Sequence, residues 1–221
     1  MKTTFLSKKY LILSFVFVFI ACHSVFSQNL KENPELDKKV KEFLSDKSYS
    51  WRDMNVPATD GQLLFDLIVK NGYKNAVEIG TSTGHSGVWI AWALSKTGGK
   101  LITLEIDERR YREALANFKK AGVSEYVEAR LCDAHEMVPQ LNGPIDFVFS
   151  DADKDWYTQY FKDLAPKLNI GGAFVSHNIS QGRRQRGITE FVNYIESLSN
   201  FKTSYNNDGG GVSISYNISK N

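Results

Sequence analysis

The chain has 221 residues, of which 42% are hydrophobic and 24% are charged, and its formal charge at neutral pH is +2. A chain of this length forms one domain with a sizeable core, and the nearly balanced charge predicts no nucleic-acid partner. Of its two cysteines, Cys22 lies in an N-terminal leader and only Cys132 lies beyond it. This count excludes a disulfide framework within the mature chain.

The first 27 residues predict a secretory signal peptide. They contain three lysines and no acid, followed by the apolar stretch "YLILSFVFVFIA" from Tyr10 to Ala21. These 12 residues suit the apolar core of a signal peptide and fall short of the roughly 20 that span a membrane. Val25 and Ser27 favour cleavage before Gln28, which would leave 194 residues with a formal charge of −1. The expected location is periplasmic or otherwise extracytoplasmic.

Two other fates of the leader rank below cleavage after Ser27. Cleavage before Cys22, within "FIAC", would make the chain a lipoprotein. An uncleaved leader would instead anchor the chain to the membrane. A membrane is therefore an expected partner only if the leader is retained or Cys22 is lipidated.

Beyond the leader, residues 28–55 predict a short helical lead, because Val40, Phe43 and Leu44 recur at helical spacing. Residues 56–221 then alternate short apolar runs with amphipathic stretches. The apolar runs are rich in β-branched or aromatic residues and predict five buried strands: "NAVEIG", "KLITLEI", "YVEARL", "IDFVFS" and "GGAFVS".

The amphipathic stretches predict helices. Between Glu108 and Ala121 the apolar residues share one face and Gly122 follows, which predicts a helix that ends at a glycine. A later helix carries apolar positions from Ile188 to Leu198, and two alternating runs around "NNDGGG" predict a closing hairpin. Strands that alternate with helices imply a parallel sheet covered on both faces, and hence a single α/β domain.

Polar or glycine-rich loops follow the predicted strands, and ligands bind at this edge of such sheets. The first loop spaces Gly80, Gly84 and Gly87 as G-x-x-x-G-x-x-G. Dinucleotide-binding sheets use G-x-G-x-x-G, so the spacing disfavours a nucleotide-dependent oxidoreductase. The second strand ends at Glu105, a carboxylate suited to the two hydroxyls of a ribose. An acid at a helix start is the alternative role, and Asp107 suits that role better.

Several residues have an ordinary structural explanation. Asp153 and Asp155, in "DADKD" after the fourth strand, are typical of acids at a helix start. Trp89 and Trp92 follow the glycine loop and are expected in the core. Trp156 lies near the expected mouth of the site, where it could flank an aromatic substrate.

Taken together, these motifs resemble the cation-dependent O-methyltransferases that use S-adenosylmethionine, the group that contains catechol and caffeoyl-CoA O-methyltransferases. The resemblance runs from about Met54 to Tyr216 and includes "MNVPATDGQLL", "VEIGTSTGHSG", "LITLEID", "DAHEMVPQL" and "DADKDWY". It implies a Rossmann-like class I methyltransferase fold, with a mainly parallel seven-stranded sheet, helices on both faces and a C-terminal antiparallel hairpin. One O-methyltransferase domain would then occupy residues 28–221.

The resemblance also implies which residues bind S-adenosylmethionine. In chain order they are Val56, Glu78, Gly80, Thr81, Ser86, Glu105, Ala134, His135 and Asp151. Val56 would lie against the cofactor and the next four residues would hold its methionine end. Glu105 would bind the ribose, and Ala134 with His135 would line the adenine.

The same resemblance makes Lys154 the general base and gives a divalent cation the ligands Asp151 and Asn178. His177, next to Asn178, is either a further ligand or a strand-end histidine that is hydrogen-bonded within the protein. The family carries an aspartate where this chain has His177. Exchange of a carboxylate for an imidazole removes one negative charge, which disfavours Mg²⁺ and favours softer ions such as Mn²⁺, Fe²⁺ or Zn²⁺.

The implied activity is transfer of a methyl group from S-adenosylmethionine to a hydroxyl of a small aromatic acceptor, catechol-like or phenolic. The alternative is an exported binding protein on a methyltransferase fold that is inactive in transfer. Two facts motivate this alternative: the cofactor is made in the cytoplasm whereas the leader predicts export, and His177 alters the cation site. A homodimer is compatible with either function.

Overall fold

The computed structural model describes residues 30–47, 55–179 and 185–219. The predicted signal peptide, including Cys22, lies outside the described residues, and its cleavage stays a prediction. Within the part of the chain that is described, no helix combines the length and the apolar character that crossing a membrane requires.

The described residues form seven α-helices and seven β-strands, which alternate from α2 to β6. The helices are α1 (Pro34–Lys47), α2 (Ala58–Asn71), α3 (His85–Thr97), α4 (Glu108–Ala121), α5 (Ala134–Met137), α6 (Tyr157–Leu164) and α7 (Arg186–Glu196). The strands are β1 (Asn75–Ile79), β2 (Lys100–Glu105), β3 (Val127–Leu131), β4 (Ile145–Ser150), β5 (Leu168–His177), β6 (Phe201–Asn206) and β7 (Val212–Asn217). All five predicted strands and the predicted hairpin are confirmed.

The seven strands form one sheet in the order β3-β2-β1-β4-β5-β7-β6. The first five strands run parallel to one another, and β7 pairs antiparallel with both β5 and β6. This arrangement confirms the predicted mainly parallel sheet with a C-terminal antiparallel hairpin. The strand order reverses beside β1, whose neighbours are β2 and β4. Such a reversal opens a crevice at the carboxyl ends of the strands, where doubly wound sheets bind ligands.

Both faces of the sheet are buried because successive side chains of a strand point to opposite faces. On β4, Val148 joins a cluster with residues of α6 and α7, whereas Phe147 and Phe149 join a cluster with α2 and α3. A third cluster packs α1 against α3 and α4, and it includes Trp89 and Trp92, as predicted. The core therefore holds the ends of the parallel strands in fixed relative positions.

The helix boundaries follow local capping signals. The helix α4 spans the predicted Glu108–Ala121, because the Asp107 side chain accepts a hydrogen bond from the Arg110 amide and Gly122 ends it with a φ of 83°. The last helix, α7, ends at Glu196, so Leu198 lies beyond the helix that the apolar pattern predicted for it. Leu198 still packs against the main core cluster.

Candidate active site

A cavity of about 640 Å³ opens at the carboxyl ends of the parallel strands. This volume falls within the range of small-molecule sites, roughly 300–1,000 Å³. The residues predicted from the sequence that line it are Gly80, Ser86, Glu105, Ala134, His135, Asp151, Lys154, His177 and Asn178. The sheet therefore brings nine of the predicted residues, from positions almost 100 apart in the chain, into one cavity.

Val56, Glu78 and Thr81 do not line this cavity. Val56 is 4% exposed, Glu78 0% and Thr81 1%. These three side chains are therefore buried behind the residues that line the cavity.

Gly80 lets β1 and β4 approach each other at the floor of the cavity. Its φ is +99°, and a Cβ atom there would lie 3.1 Å from the backbone of both Asp151 and Ala152. The Asp151 amide donates to the Ile79 carbonyl oxygen at 2.9 Å, which extends the pairing of the two strands. Only glycine fits this close approach without strain.

Glu105 is held rigidly at the end of β2. One carboxylate oxygen accepts from the Ser82 amide at 2.7 Å, and the other accepts from the amides of Ile106 and Asp107 at 3.1 and 2.9 Å. Each oxygen has two lone pairs, so the oxygen that accepts from Ser82 retains one acceptor site beside the cavity that Glu105 lines. A carboxylate at this strand end is suited to a ribose hydroxyl.

Glu78 is a fully buried carboxylate at the end of a hydrogen-bonded chain. The Thr81 hydroxyl lies 2.5 Å from the Thr103 hydroxyl, which donates to Glu78 Oε2 at 2.6 Å. Glu78 Oε1 is buried and has no hydrogen-bond partner among the described residues. Burial raises the pKa of Glu78 to about 7, hydrogen bonds from Ser86 and Thr103 oppose the rise, and the charges of Asp151 and Glu105 add to it. A cationic ligand group beside this carboxylate would relieve that cost.

His135 lies in an aromatic layer at the side of the cavity. Its ring stacks on Trp156 with a centroid distance of 3.9 Å, and its two nitrogens lie 3.3 Å from Asp133 and 3.4 Å from Asp153. Asp153 also caps the short 3₁₀ turn Lys154–Trp156 by accepting from the Asp155 amide, which confirms its helix-start role. Trp156 thus lies behind His135 and does not itself line the cavity.

Asp151 and Lys154 form an ion pair that faces the cavity. Lys154 Nζ lies 2.6 Å from Asp151 Oδ1 and 3.2 Å from the Asp151 carbonyl oxygen. The 3₁₀ turn after β4 brings the lysine back over the strand end, where its side chain is 22% exposed. This exposure lets Nζ reach a ligand in the cavity.

His177, at the end of β5, lies between two carboxylates. Its Nε2 is 2.8 Å from Asp60 Oδ2 and its Nδ1 is 3.2 Å from Asp151 Oδ2. The second contact has the distance of an ion pair but is not aligned as a hydrogen bond. Burial alone would lower the pKa of His177, but the carboxylates of Asp151 and Asp60 outweigh it and raise the pKa to about 9. The two carboxylates therefore favour the protonated form of the ring.

Asp60, the partner of His177, was not predicted from the sequence. It lies in the first turn of α2, is 1% exposed, and accepts from the Gly210 amide at 2.7 Å as well as from His177. Burial would raise its pKa, but the hydrogen bonds from His177 and Gly210 prevail and lower it. "MNVPATDGQLL" contains Asp60, but no local signal connects it with a histidine 117 positions later.

Two of the predicted cation ligands lie side by side, and the third lines the same cavity. An imidazole binds a metal through an unprotonated nitrogen. Nε2 of His177 pairs with Asp60, whereas Nδ1 lies 3.2 Å from Asp151 Oδ2 and has no aligned hydrogen-bond partner among the described residues. Asn178 lines the cavity with a left-handed φ of 61°. Over the residues with described positions, no group of three or more His, Cys, Asp or Glu side chains is arranged to hold a metal ion.

A family model described as O-methyltransferase matches residues 27–183 of the chain. The catechol O-methyltransferase of Niastella koreensis is 40% identical over 130 residues, which are 57% of this chain and 58% of that protein. Caffeoyl-CoA O-methyltransferase 2 of Petunia hybrida is 34% identical over 145 residues, which are 63% of this chain and 59% of that protein. The chain thus matches less than two thirds of the length of these curated relatives.

The fold is also similar to that of a solved structure. The crystal structure of an O-methyltransferase from Bacillus cereus, in complex with SAH, superposes with a TM-score of 0.68 at 25% identity. The superposition covers 84% of this chain and 91% of that one. The similarity therefore extends over most of the sheet and its covering helices.

Proposed function

Since this chain belongs to the O-methyltransferase family, we propose that it transfers the methyl group of S-adenosylmethionine to a hydroxyl of a small aromatic molecule. The observation that carries the proposal is the cavity at the carboxyl ends of the strands, lined by nine residues predicted for cofactor, cation and base. The relatives named catechol and caffeoyl-CoA O-methyltransferase support an aromatic acceptor.

The residues of the cavity fit S-adenosylmethionine. Glu105 is fixed at the end of β2, and the oxygen that accepts from Ser82 can also accept from a ribose hydroxyl. Glu78 does not line the cavity, but its carboxylate accepts from Ser86, which does, so it would favour the positively charged methionine end. Gly80 lets the ends of β1 and β4 approach each other at the floor of the cavity. When bound, the cofactor supplies an electrophilic methyl group on a sulfonium.

Lys154 is the residue placed to accept the proton of the acceptor hydroxyl. An oxygen nucleophile must lose this proton as it attacks the methyl group, and a positioned base contributes roughly 10²–10⁴-fold to such a step. Proton transfer to a neutral Lys154 would produce an ammonium 2.6 Å from Asp151 Oδ1. The Asp151 carboxylate would stabilise that ammonium.

The divalent cation that the resemblance implies is not part of the proposed steps. Asp151 and His177 are engaged with each other and with Lys154 and Asp60. No step of the proposed reaction is therefore routed through a cation.

Two measurements on the full chain test the proposal. Titration calorimetry with S-adenosylmethionine and with SAH is expected to show one site per chain. Incubation with catechols and simple phenols, followed by mass spectrometry, is expected to yield a methylated product. Absence of cofactor binding would refute the proposal, whereas binding without transfer to any acceptor would favour the inactive binding protein.

A further inference from the structure

The strand β3 lies at one edge of the sheet, and its outer side pairs with no strand among residues 30–47, 55–179 and 185–219. An open edge of this kind can pair with a strand of another chain. We propose that two copies of this chain form a homodimer in which β3 pairs antiparallel with the same strand of the second copy. This inference does not depend on the proposed function.

The backbone of β3 has hydrogen-bonding groups that point to its outer side. The Cys132 amide donates to the Glu105 carbonyl oxygen of β2 at 2.8 Å. In a parallel pair, alternate residues of a strand direct both backbone groups to the neighbouring strand, so those of Glu128 and Arg130 also point to β2. The residues between them, which direct their backbone groups to the outer side, are Val127, Ala129 and Leu131.

The sequence of β3, Val-Glu-Ala-Arg-Leu, is complementary to itself in the antiparallel direction. With a two-fold axis through Ala129, each Glu128 lies opposite the Arg130 of the other copy, and each Val127 lies opposite Leu131. The residues with outward backbone groups then form the hydrogen-bonded pairs. Glu128 and Arg130 form the non-hydrogen-bonded pairs, in which side chains approach most closely. Backbone and side chains therefore favour the same register.

The charges on β3 also fix this register. Within one chain, an Arg130 guanidinium nitrogen lies 2.6 Å from Glu128 Oε1, yet 57% of the Glu128 side chain and 33% of the Arg130 side chain stay exposed. In the dimer, each carboxylate would face the guanidinium of its own strand and the one directly opposite. An axis through Glu128 or through Arg130 would instead place like charges opposite each other, which is unfavourable.

Apolar side chains beside the edge would be covered in the same dimer. Leu131 is 45% exposed, and Leu115 on α4 is 42% exposed. Tyr111 lies one turn before Leu115, and its hydroxyl is 3.4 Å from the outward Ala129 carbonyl oxygen, so this face of α4 borders the edge. That oxygen has a second lone pair for the other copy. The two-fold axis is perpendicular to the sheet, so α4 of each copy lies on the same face of the joined sheet.

Sedimentation equilibrium of the full chain over a range of concentrations tests the dimer. The variants are Glu128→Arg and Arg130→Glu, each of which places like charges opposite each other at both positions. Each variant is expected to dimerise roughly 10–100-fold more weakly than the wild type. The double variant Glu128→Arg/Arg130→Glu restores opposite charges and should dimerise as the wild type does.

A mixture of the two single variants tests the register itself. It sets two arginines of one chain opposite two glutamates of the other, so it should form a heterodimer with one chain of each variant. Native mass spectrometry identifies this species. Every variant has the same leader, so association through the leader would not respond to these substitutions. Lys202→Glu, at an exposed position on the other edge strand, β6, is the matched control and should leave the dimer unchanged.

Ala129→Pro keeps the test valid if a charge variant does not fold. Proline removes an N–H group that β2 does not use, and an edge strand tolerates proline at such a position. This variant should keep the circular dichroism spectrum of the wild type and be monomeric. A wild type that is monomeric at every concentration would overturn the inference. A dimer that Ala129→Pro leaves intact, or a mixture of folded charge variants that forms no heterodimer, would overturn it as well.

Discussion

Lys154 is the residue on which the proposed proton transfer depends. Replacement by alanine removes the amine that lies 2.6 Å from Asp151 and reaches the cavity. Turnover is expected to fall by roughly 10²–10⁴-fold, and the affinity for cofactor is expected to stay nearly unchanged. Steady-state kinetics and calorimetry of the same preparation measure the two effects separately.

Two control variants sharpen this test. Lys154→Arg keeps a positive charge but cannot accept a proton, so it should be as inactive as the alanine variant if the lysine acts as a base. Lys202→Ala changes an exposed lysine on β6, outside the cavity, and should have full turnover. Substantial activity of Lys154→Arg would contradict the role of general base.

Glu78 makes the stability of the cofactor-free protein depend on pH. Its folded pKa of about 7 lies above the ordinary value of 4.5. The stability that this raised pKa contributes is therefore fully present below pH 4.5 and is lost as the pH rises through about 7. Relative to Glu78→Gln, the wild type should lose on the order of 2–4 kcal/mol of unfolding free energy over this interval.

Urea unfolding of the wild type and Glu78→Gln at a series of pH values measures this difference. All other titratable groups are present in both proteins, so their contribution cancels in the difference between the two unfolding free energies. Glu108→Gln, at an exposed position on α4, is the matched control and should show no such trend. A difference between the wild type and Glu78→Gln that does not vary with pH would contradict the prediction.

The sequence predicted the chemistry of individual residues better than their contacts. Glu105 and Lys154 line the cavity as expected, because each follows a recognisable strand end. Asp60 was not predicted, because its importance comes from His177 and Gly210, which are 117 and 150 positions away. Contacts over such separations depend on how α2 packs against the hairpin. Local sequence patterns do not predict this packing.

At the scale of the elements, the site depends on how closely β1 approaches β4. Gly80→Ala would place a methyl group 3.1 Å from the backbone of Asp151 at a φ of +99°. Positive φ costs an alanine about 1–2 kcal/mol and crowding adds roughly 1–3 kcal/mol. We expect a loss of roughly 2–5 kcal/mol of unfolding free energy together with weaker cofactor binding, measured by urea unfolding and calorimetry.

Gly171→Ala separates the cost of a positive φ from the cost of crowding. Gly171 has a φ of +80°, but a Cβ atom there would meet nothing within 4 Å. This variant should lose only the conformational part, about 1–2 kcal/mol, and should bind the cofactor normally. Equal losses in the two variants would mean that the strand ends tolerate the added methyl group.

The elements themselves were largely predictable, because hydrophobic pattern and caps are local. The helix α4 has the predicted bounds, since Asp107 and Gly122 mark its two ends. The strand β5 begins at Leu168, before the predicted "GGAFVS", because its pairing with β4 shifts register after Leu168. A register shift depends on the partner strand and therefore leaves little trace in the sequence of the strand itself.

At the scale of the whole molecule, a ligand in the cavity would contact residues at the ends of five strands, β1 to β5, and should stabilise the fold as a unit. With SAH at about 100 times its Kd, the free energy of unfolding should rise by about 2.7 kcal/mol. Such a gain raises the Tm by roughly 5–10 °C for a chain of this size. Differential scanning calorimetry measures the shift, and Glu105→Gln at the same SAH concentration should show a smaller one. A wild-type Tm that does not respond to SAH would contradict the prediction.

The contact between Asp60, His177 and the Gly210 turn also constrains how this sequence can change over evolution. Loss of either charged partner alone would leave the other buried and unpaired, at a cost of about 3–5 kcal/mol, and a side chain at Gly210 would displace the His177 ring. Positions 60 and 177 are therefore expected to covary among homologous sequences. Lineages with a carboxylate at 177 should lack one at 60, and lineages that keep the histidine should keep an acid at 60 and a glycine at 210.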